Sequence, residues 1–179
     1  ELISGAIAYA PSSVSWSNTV LPYNSDKIKP SWTYGGQGIP YVPMDKITGG
    51  SSEELDVLAY WYSGLKKDKY LETASIKVEK INGPVLLFSG KNDSVWPSAE
   101  MANRIEQRLD AKNFEFSVQN IQYENAGHLI SRNPENDDDT SERMGKMTLN
   151  GKQHTYHFGG TQEGDNFAKK DAKIKVFAF

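Results

Sequence analysis

Two segments that each run from a β-rich stretch into a turn with a polar side chain constrain this chain most strongly. The first, residues 83–93, is an apolar run that enters a loop with Asp93 at its tip. The second, residues 114–128, ends in Ala126-Gly127-His128. An uncharged apolar run such as residues 84–89 is typical of a strand covered on both faces of a parallel sheet. Because functional loops lie at the carboxyl edge of such a sheet, we expect Asp93 and His128 to lie near each other there.

The remaining segments complete a parallel α/β order. Residues 2–10 form another short apolar run, which predicts a strand. Residues 16–50 are rich in Gly, Pro, Ser and aromatic residues and have little periodicity, which indicates a long irregular excursion. Residues 131–150 form a polar insertion, read as a solvated loop over 131–146 and then a small hairpin at the Asn150-Gly151 turn. The order along the chain is strand, excursion with helix, strand, helix, strand, loop and helix. This order predicts one α/β domain over the whole chain.

Three helices are predicted from capping residues and apolar spacing. Ser51 and Glu54 fit a capping box for the first, Ser98 is expected to cap the second, and Thr161 is expected to cap the third, which continues to the chain end. The inner faces are expected to be formed, in chain order, by Leu55, Leu58, Ala59 and Tyr62; by Met101, Ile105 and Leu109; and by Phe167, Ala168, Ala172, Ile174 and Phe177.

Composition excludes several classes of protein. The 179 residues suit one domain with a real core. A net charge of −3 argues against a nucleic-acid partner, and no apolar run approaches the ~20 residues needed to span a bilayer. The sequence has no cysteine, which excludes disulfides, thiolate metal ligands and a cysteine nucleophile within this stretch.

The two ends of the sequence look interior to a longer protein. The first residues lack the basic segment of a signal peptide, and we expect a cytoplasmic location. The chain starts within an apparent strand and stops within an apolar helical pattern, so we expect both ends to be cuts. Missing strands would leave an apolar sheet edge, which predicts a homo-oligomer or a domain swap that light scattering at high concentration would detect.

An acid and then a histidine, each after a strand, match the last two members of the Ser…Asp…His order of an α/β-hydrolase. In such a site the histidine takes the proton of the nucleophile and the carboxylate holds the other ring nitrogen. Asp93 and His128 are therefore the candidate catalytic residues. No G-x-S-x-G or G-x-C-x-G occurs in the chain, so the sequence indicates a catalytic apparatus without its nucleophile.

Other conspicuous residues have simpler interpretations. His154 and His157 are three apart in a strand-like segment and should lie on opposite faces, so no metal site is expected. The glycines of residues 35–41 do not form a dinucleotide fingerprint, and no organic cofactor is expected. Residues 159–161 are interpreted as a flexible turn with a Thr cap, and Glu124 as an exposed charge.

Three motifs together resemble one family. They are residues 83–98, residues 126–130 and Gly159-Gly160-Thr161 before the terminal helix. This set resembles the C-terminal α/β-hydrolase domain of acyl-CoA thioesterases and bile-acid-CoA:amino-acid N-acyltransferases, and residues 31–41 resemble its bacterial branch. The resemblance touches most of the chain. Trp96-Pro97-Ser98, beyond the acid, is its most specific part.

The resemblance implies roles for the two residues. Asp93 takes the position of the triad acid and His128 that of the triad base, while a Ser or Cys nucleophile lies on an elbow upstream of the strand that opens at Leu2. The implied fold is the C-terminal portion of an α/β-hydrolase, without its first strands and the elbow. No metal or organic cofactor is implied.

The implied activity is that of an acyl ester or thioester hydrolase, or of an acyltransferase, with acyl-CoA as the expected substrate. The chain alone should be inactive, because the covalent step requires the nucleophile. Two alternatives remain open. One is a non-catalytic α/β-hydrolase-like scaffold, and the other is an ester or peptide hydrolase of the dienelactone hydrolase type.

Overall fold

The structure is a computed structural model that describes residues 4–20, 23–47, 53–131 and 143–179. The strands are β1 (Ala6–Tyr9), β2 (Thr33–Tyr34), β3 (Gln37–Gly38), β4 (Val85–Gly90), β5 (Val118–Tyr123), β6 (Met144–Leu149) and β7 (Lys152–His157). The α-helices are α1 (Val57–Leu65), α2 (Asp68–Ala74), α3 (Ser98–Ala111) and α4 (Gln162–Ala178). Short 3₁₀ helices cover Ser25–Lys27, Val78–Lys80 and His128–Ser131.

The chain divides into two compact units. The sheet unit contains Glu1–Ser12, Lys77–Arg143 and Phe158–Phe179. The excursion unit contains Ser13–Ile76 and Met144–His157. Both candidate catalytic residues belong to the sheet unit.

The sheet unit is built on a parallel three-stranded sheet in the order β1-β4-β5. Ala6 pairs with Val85, and Val85 pairs with Val118, so the three strands run side by side in the same direction. All six residues of β4 are buried. This is the pattern predicted for the apolar run, and the predicted α/β class is confirmed.

Both faces of the sheet are covered by apolar side chains. On the α4 side, Leu86 and Phe88 pack in a cluster completed by Tyr123, Ala126, Ile130, Ala168 and Ala172. On the α3 side, Val85 and Leu87 pack in a cluster completed by Val78, Ala102, Ile105 and Leu109. Successive residues of β4 therefore enter opposite cores, as the alternation of side chains along a strand requires.

The outer edge of the sheet is formed by β1. Within the described residues β1 pairs with β4 alone, and Ile7 and Tyr9 are exposed. Self-association through this edge stays a prediction. In the same described ranges no helix combines the length and the apolarity needed to cross a membrane.

The excursion unit has its own core, although much of its chain is irregular. Trp16, Val42 and Met44 are buried in it, and the ring of Trp16 meets that of Trp61 edge-on at 5.1 Å. The buried Ser17 hydroxyl accepts a hydrogen bond from the Met44 amide at 2.9 Å, which satisfies a donor inside the core.

The predicted hairpin at Asn150-Gly151 is confirmed. Strands β6 and β7 pair antiparallel, and the two turn residues have φ angles of 50° and 76°, as a tight two-residue turn requires. Residues 132–142 of the predicted loop lie outside the described residues. The prediction of a loop was wrong for residues 144–146, because β6 already begins at Met144.

Two helices follow their predicted positions. Met101, Ile105 and Leu109 of α3 are buried, which confirms the predicted stripe. Helix α4 begins after Thr161, whose hydroxyl accepts from the Gly164 amide at 3.0 Å, so the predicted cap is confirmed.

The predicted inner face of α4 was only partly right. Ala168 and Ala172 are buried, but Phe167, Ile174 and Phe177 are 64%, 68% and 82% exposed. The buried face of the helix is completed instead by the charged residues Asp165 and Lys169. A search for apolar spacing misplaces a helix face that buries charged groups.

Helix α1 begins later than predicted. Ser51 lies outside the described residues, and Glu54 precedes the helix, whose N-cap is Asp56. The Asp56 carboxylate accepts from the Ala59 amide at 2.7 Å. Val57, Tyr60, Gly64 and Leu65 form the buried face, so the predicted burial of Ala59 and Tyr62 was wrong.

We expect Leu86→Ala to destabilise the chain by about 2–5 kcal/mol, because it leaves a cavity in a fully buried strand. The matched control is Ile174→Ala, which removes a similar side chain from the exposed face of α4 and should change the free energy of unfolding by no more than about 0.5 kcal/mol. Urea denaturation of both variants measures the difference. Equal losses would contradict the described orientation of α4.

A second prediction concerns acid stability. Arg108 on α3 donates two hydrogen bonds to the Glu79 carboxylate, at 2.6 and 2.7 Å, and this pairing lowers the Glu79 pKa from 4.5 to about 2. A lowered folded-state pKa stabilises the fold above the unfolded value and loses that contribution as the pH falls through the folded value. We therefore expect Glu79→Gln to be less stable than the wild type near neutral pH.

On acidification from pH 4.5 to 2, the stability gap between Glu79→Gln and the wild type should close. Urea midpoints across this range measure it. Glu115→Gln, at an exposed position, is the control and should run parallel to the wild type. A gap that stays constant down to pH 2 contradicts the ion pair.

Candidate active site

The loop after β4 holds Asp93 in a closed turn. Its Oδ1 accepts the backbone N–H groups of Val95 and Trp96, at 2.9 and 2.8 Å. This is the local turn that Asp side chains favour, because the carboxylate replaces a missing backbone acceptor. The side chain of Asp93 is 2% exposed, so these bonds are formed in a nearly dry environment.

The second carboxylate oxygen of Asp93 faces His128. His128 Nδ1 lies 3.0 Å from Oδ2, and the hydroxyl of Ser98 donates to the same oxygen at 2.9 Å. An ionised carboxylate offers about four lone-pair sites. Two backbone amides, a hydroxyl and an imidazole therefore satisfy Asp93 and leave it little freedom to rotate.

Ser98 does not act as the predicted helix cap. It is the first residue of α3, the N-cap position is Pro97, and no side-chain hydrogen bond caps that end. The fully buried Ser98 hydroxyl is instead used to hold the acid. Sequence reasoning missed this role because a serine at a helix start has a commoner explanation.

The Trp96-Pro97-Ser98 segment is thus part of the acid's support. The Trp96 amide donates to Asp93, and its indole N–H donates to the Pro11 carbonyl, just beyond β1, at 3.0 Å. Residues 91–97, called here the acid loop, are therefore bonded both to the Asp93 carboxylate and to Pro11 beyond β1.

His128 follows β5 at the start of a 3₁₀ turn. Its backbone N–H donates to the Phe158 carbonyl at 2.9 Å, and its ring lies parallel to the Phe158 ring, with 6.3 Å between centroids and 9° between planes. The side chain is 28% exposed. The structure thus brings together the two residues that the sequence singled out, at the edge where β4 and β5 end.

The partner of Nδ1 indicates the tautomer of His128. An ionised carboxylate can only accept, so Nδ1 carries the proton that is shared with Asp93. Nε2 then keeps its lone pair, and within the described part of the chain it makes no hydrogen bond. A neutral imidazole with one oriented N–H and one unoccupied basic nitrogen can act as a general base.

Phe158, Gly159 and Gly160 form a short segment, here called the strap, that contacts both loops. The Phe158 carbonyl accepts from the amides of His128 and Ser94, at 2.9 and 3.4 Å, and Gly159 forms an antiparallel bridge with Asp93. The strap therefore links the acid loop, through main-chain atoms, to residues 124–128, called here the histidine loop.

Glycine is required at both strap positions. Gly159 and Gly160 have φ angles of 74° and 66°, a region that favours glycine. A Cβ on Gly159 would collide with the Asn92 carbonyl, and one on Gly160 would collide with the Gly127 amide. The interpretation of residues 159–161 as a flexible turn was wrong for the glycines, which pack against the loops.

Other polar residues noted in the sequence have partners other than Asp93 and His128. Glu124 is exposed and pairs with Lys91 at 2.5 Å. His157, in the excursion unit, lies 3.4 Å from Glu54. Across the described ranges no group of three or more His, Cys, Asp or Glu side chains could hold a metal ion.

Comparison with known proteins gives one family. Residues 43–179 match the family model described as BAAT / Acyl-CoA thioester hydrolase C terminal. No curated protein matches the chain significantly. The matched range contains Asp93, Ser98, His128 and the strap.

We expect Ser98→Ala to destabilise the chain by about 1.5–3 kcal/mol, because it removes a hydrogen bond to a buried charged group. It should also shift the NMR resonance of the His128 Nδ1 proton, since Oδ2 then has one donor fewer. Thr161→Ala, which removes a true helix cap, is the matched control and should cost about 1 kcal/mol without moving that resonance. If both variants leave the resonance in place, Ser98 does not support the pair.

Proposed function

Because this chain belongs to the BAAT / acyl-CoA thioester hydrolase C-terminal family, we propose that it supplies the acid and the base of an acyl-transfer site that acts on acyl-CoA thioesters. His128 is the general base and then the general acid, and Asp93 orients it. The nucleophile, a Ser or Cys, comes from residues outside this sequence. No metal or organic cofactor takes part.

The observation that carries the proposal is the 3.0 Å contact between Asp93 Oδ2 and His128 Nδ1, in a family of acyl-CoA thioester hydrolases. A buried carboxylate with its other donors already in place cannot turn away from the imidazole. The arrangement supports a histidine that is held in one tautomer, with its second nitrogen directed to another group.

The proposed reaction begins when His128 Nε2 takes the proton of the Ser or Cys nucleophile, which attacks the thioester carbonyl carbon. The imidazolium that forms keeps its Nδ1–H bond to the Asp93 carboxylate, which stabilises the added positive charge. As the tetrahedral intermediate collapses, the carbon–sulfur bond breaks, and the Nε2 proton passes to the departing CoA thiolate. An acyl-enzyme ester or thioester remains.

The second half of the reaction regenerates the enzyme. A water molecule or an amine attacks the acyl group while His128 Nε2 takes a proton from it. The nucleophile then leaves and recovers that proton from Nε2. Water gives a free acid and an amine gives an amide, so one pair of side chains serves both the hydrolase and the acyltransferase outcome.

The test uses the longer protein that contains this chain and its nucleophile, assayed for thiol release from acyl-CoA. We expect Asp93→Asn to lower kcat on the order of 10⁴-fold and His128→Ala to lower it on the order of 10⁶-fold. His154→Ala and Glu124→Gln are matched controls, and both should retain wild-type rates. A His128→Ala variant with wild-type kcat would sink the proposal.

The product distinguishes the remaining possibilities. Acid formation in the presence of an amino-acid acceptor indicates a hydrolase, and amide formation indicates a transferase. Turnover of p-nitrophenyl esters without any turnover of acyl-CoA would contradict the thioester substrate and favour an ester hydrolase of the dienelactone hydrolase type. No turnover of either, with the acid–histidine contact intact by NMR, would favour a scaffold.

A further inference from the structure

A buried carboxylate on α4 forms a hydrogen bond with the histidine loop. Asp165 lies in the first turn of α4 and is 1% exposed. Its Oδ1 accepts the backbone N–H of Gly127, the residue before His128, at 2.6 Å. The candidate catalytic chemistry described above does not use this residue.

The charge of Asp165 is balanced within the same unit. Arg143 Nη1 lies 2.7 Å from Asp165 Oδ2, and the same guanidinium donates to the Gly159 carbonyl of the strap. A buried carboxylate is costly unless it is paired and hydrogen-bonded, and the first turn of a helix also favours an anion. The pairing with Arg143 and the hydrogen bond from the Gly127 amide therefore offset part of the cost of burying this side chain.

The contact leaves the histidine loop with few degrees of freedom. Asn125 has a φ of 57°, its carbonyl accepts from the Thr161 amide at 2.7 Å, and the Ala126 carbonyl accepts from the Asn92 amide at 2.9 Å. Gly127 is the next residue, and its amide is taken by Asp165. Each peptide group just before the imidazole is thus fixed by a partner on another segment.

We propose that Asp165 is a positioning residue for His128: it fixes the Gly127 amide, and through it the direction from which the imidazole meets Asp93, while Arg143 supplies the counter-charge. The inference rests on the proposed function only for the role of His128 in catalysis. The hydrogen bond between Asp93 and His128 can be observed without the nucleophile, so the geometric part is tested separately.

The decisive comparison removes the ion pair from both variants and changes only the acceptor. In an Arg143→Met background, Asp165→Asn keeps a carbonyl oxygen for the Gly127 amide, whereas Asp165→Ala does not. We expect the Asn variant to keep the NMR signal of the His128 Nδ1 proton and the Ala variant to lose it through exchange with water. In the longer protein, the Ala variant should have a kcat lower by about 10²-fold, as expected for a misplaced catalytic group, with KM unchanged.

Asp171→Asn is the matched control on the same helix. Asp171 accepts from the Tyr123 hydroxyl and pairs with Lys175, both at 2.8 Å, so its loss should lower stability without changing the His128 signal or kcat. If the Asn and Ala variants at position 165 give the same signal and the same kcat, Asp165 only stabilises the fold and the proposal is overturned.

A measurement on the unmodified chain keeps the test valid where the Ala variant does not fold. Hydrogen exchange of the Gly127 amide should be slow, comparable to that of amides in β4. Exchange as fast as that of an exposed loop amide would overturn the proposal.

The two hypotheses fail in different ways. A His128 signal that depends on Asp165, in a protein that does not turn over acyl-CoA, supports the positioning role and contradicts the proposed function. Turnover of acyl-CoA that depends on His128 but not on Asp165 supports the proposed function and contradicts the positioning role.

Discussion

The complete burial of β4 is the constraint on which the rest of the sheet unit depends. Its six residues are buried, and the side chains from Val85 to Phe88 alternate between the two cores, so the strand cannot slide by one residue without exchanging the two sets of side chains. The register with β5 then fixes where both strands end. Gly90 pairs with Tyr123 at that edge, and the acid loop and the histidine loop begin from this matched pair of residues.

From that edge, the pair is assembled chiefly by backbone. Amides of the acid loop hold one oxygen of Asp93, and the strap accepts the amide of His128 and bridges to Asp93. Two side-chain contacts complete the arrangement, because the Ser98 hydroxyl and the His128 imidazole both bond to Asp93 Oδ2. Because the strap is bonded to both loops, a movement of either loop would disturb the contact between Asp93 and His128.

Much of this was predictable from sequence, and the failures have physical reasons. The uncharged run before Gly90 and the stripe of α3 predicted the strand and the helix directly, and the order of acid and histidine indicated two residues that lie 3.0 Å apart in the structure. The burial of Asp165 and Lys169 was not predicted, because the burial of a charged side chain can be inferred only when its partner in the folded structure is known. The roles of Ser98 and of the strap glycines were missed for a related reason: both depend on contacts between segments distant in sequence.

The strap has a consequence for how such a protein can diversify. Because Gly159 and Gly160 join the two loops through main-chain atoms, outward-facing side chains such as Lys91 and Glu124 take no part in aligning the acid with the histidine. Substitutions at those surface positions should therefore leave the contact between Asp93 and His128 in place. Among relatives, substitutions should therefore be more frequent at such surface positions than at Gly159 and Gly160.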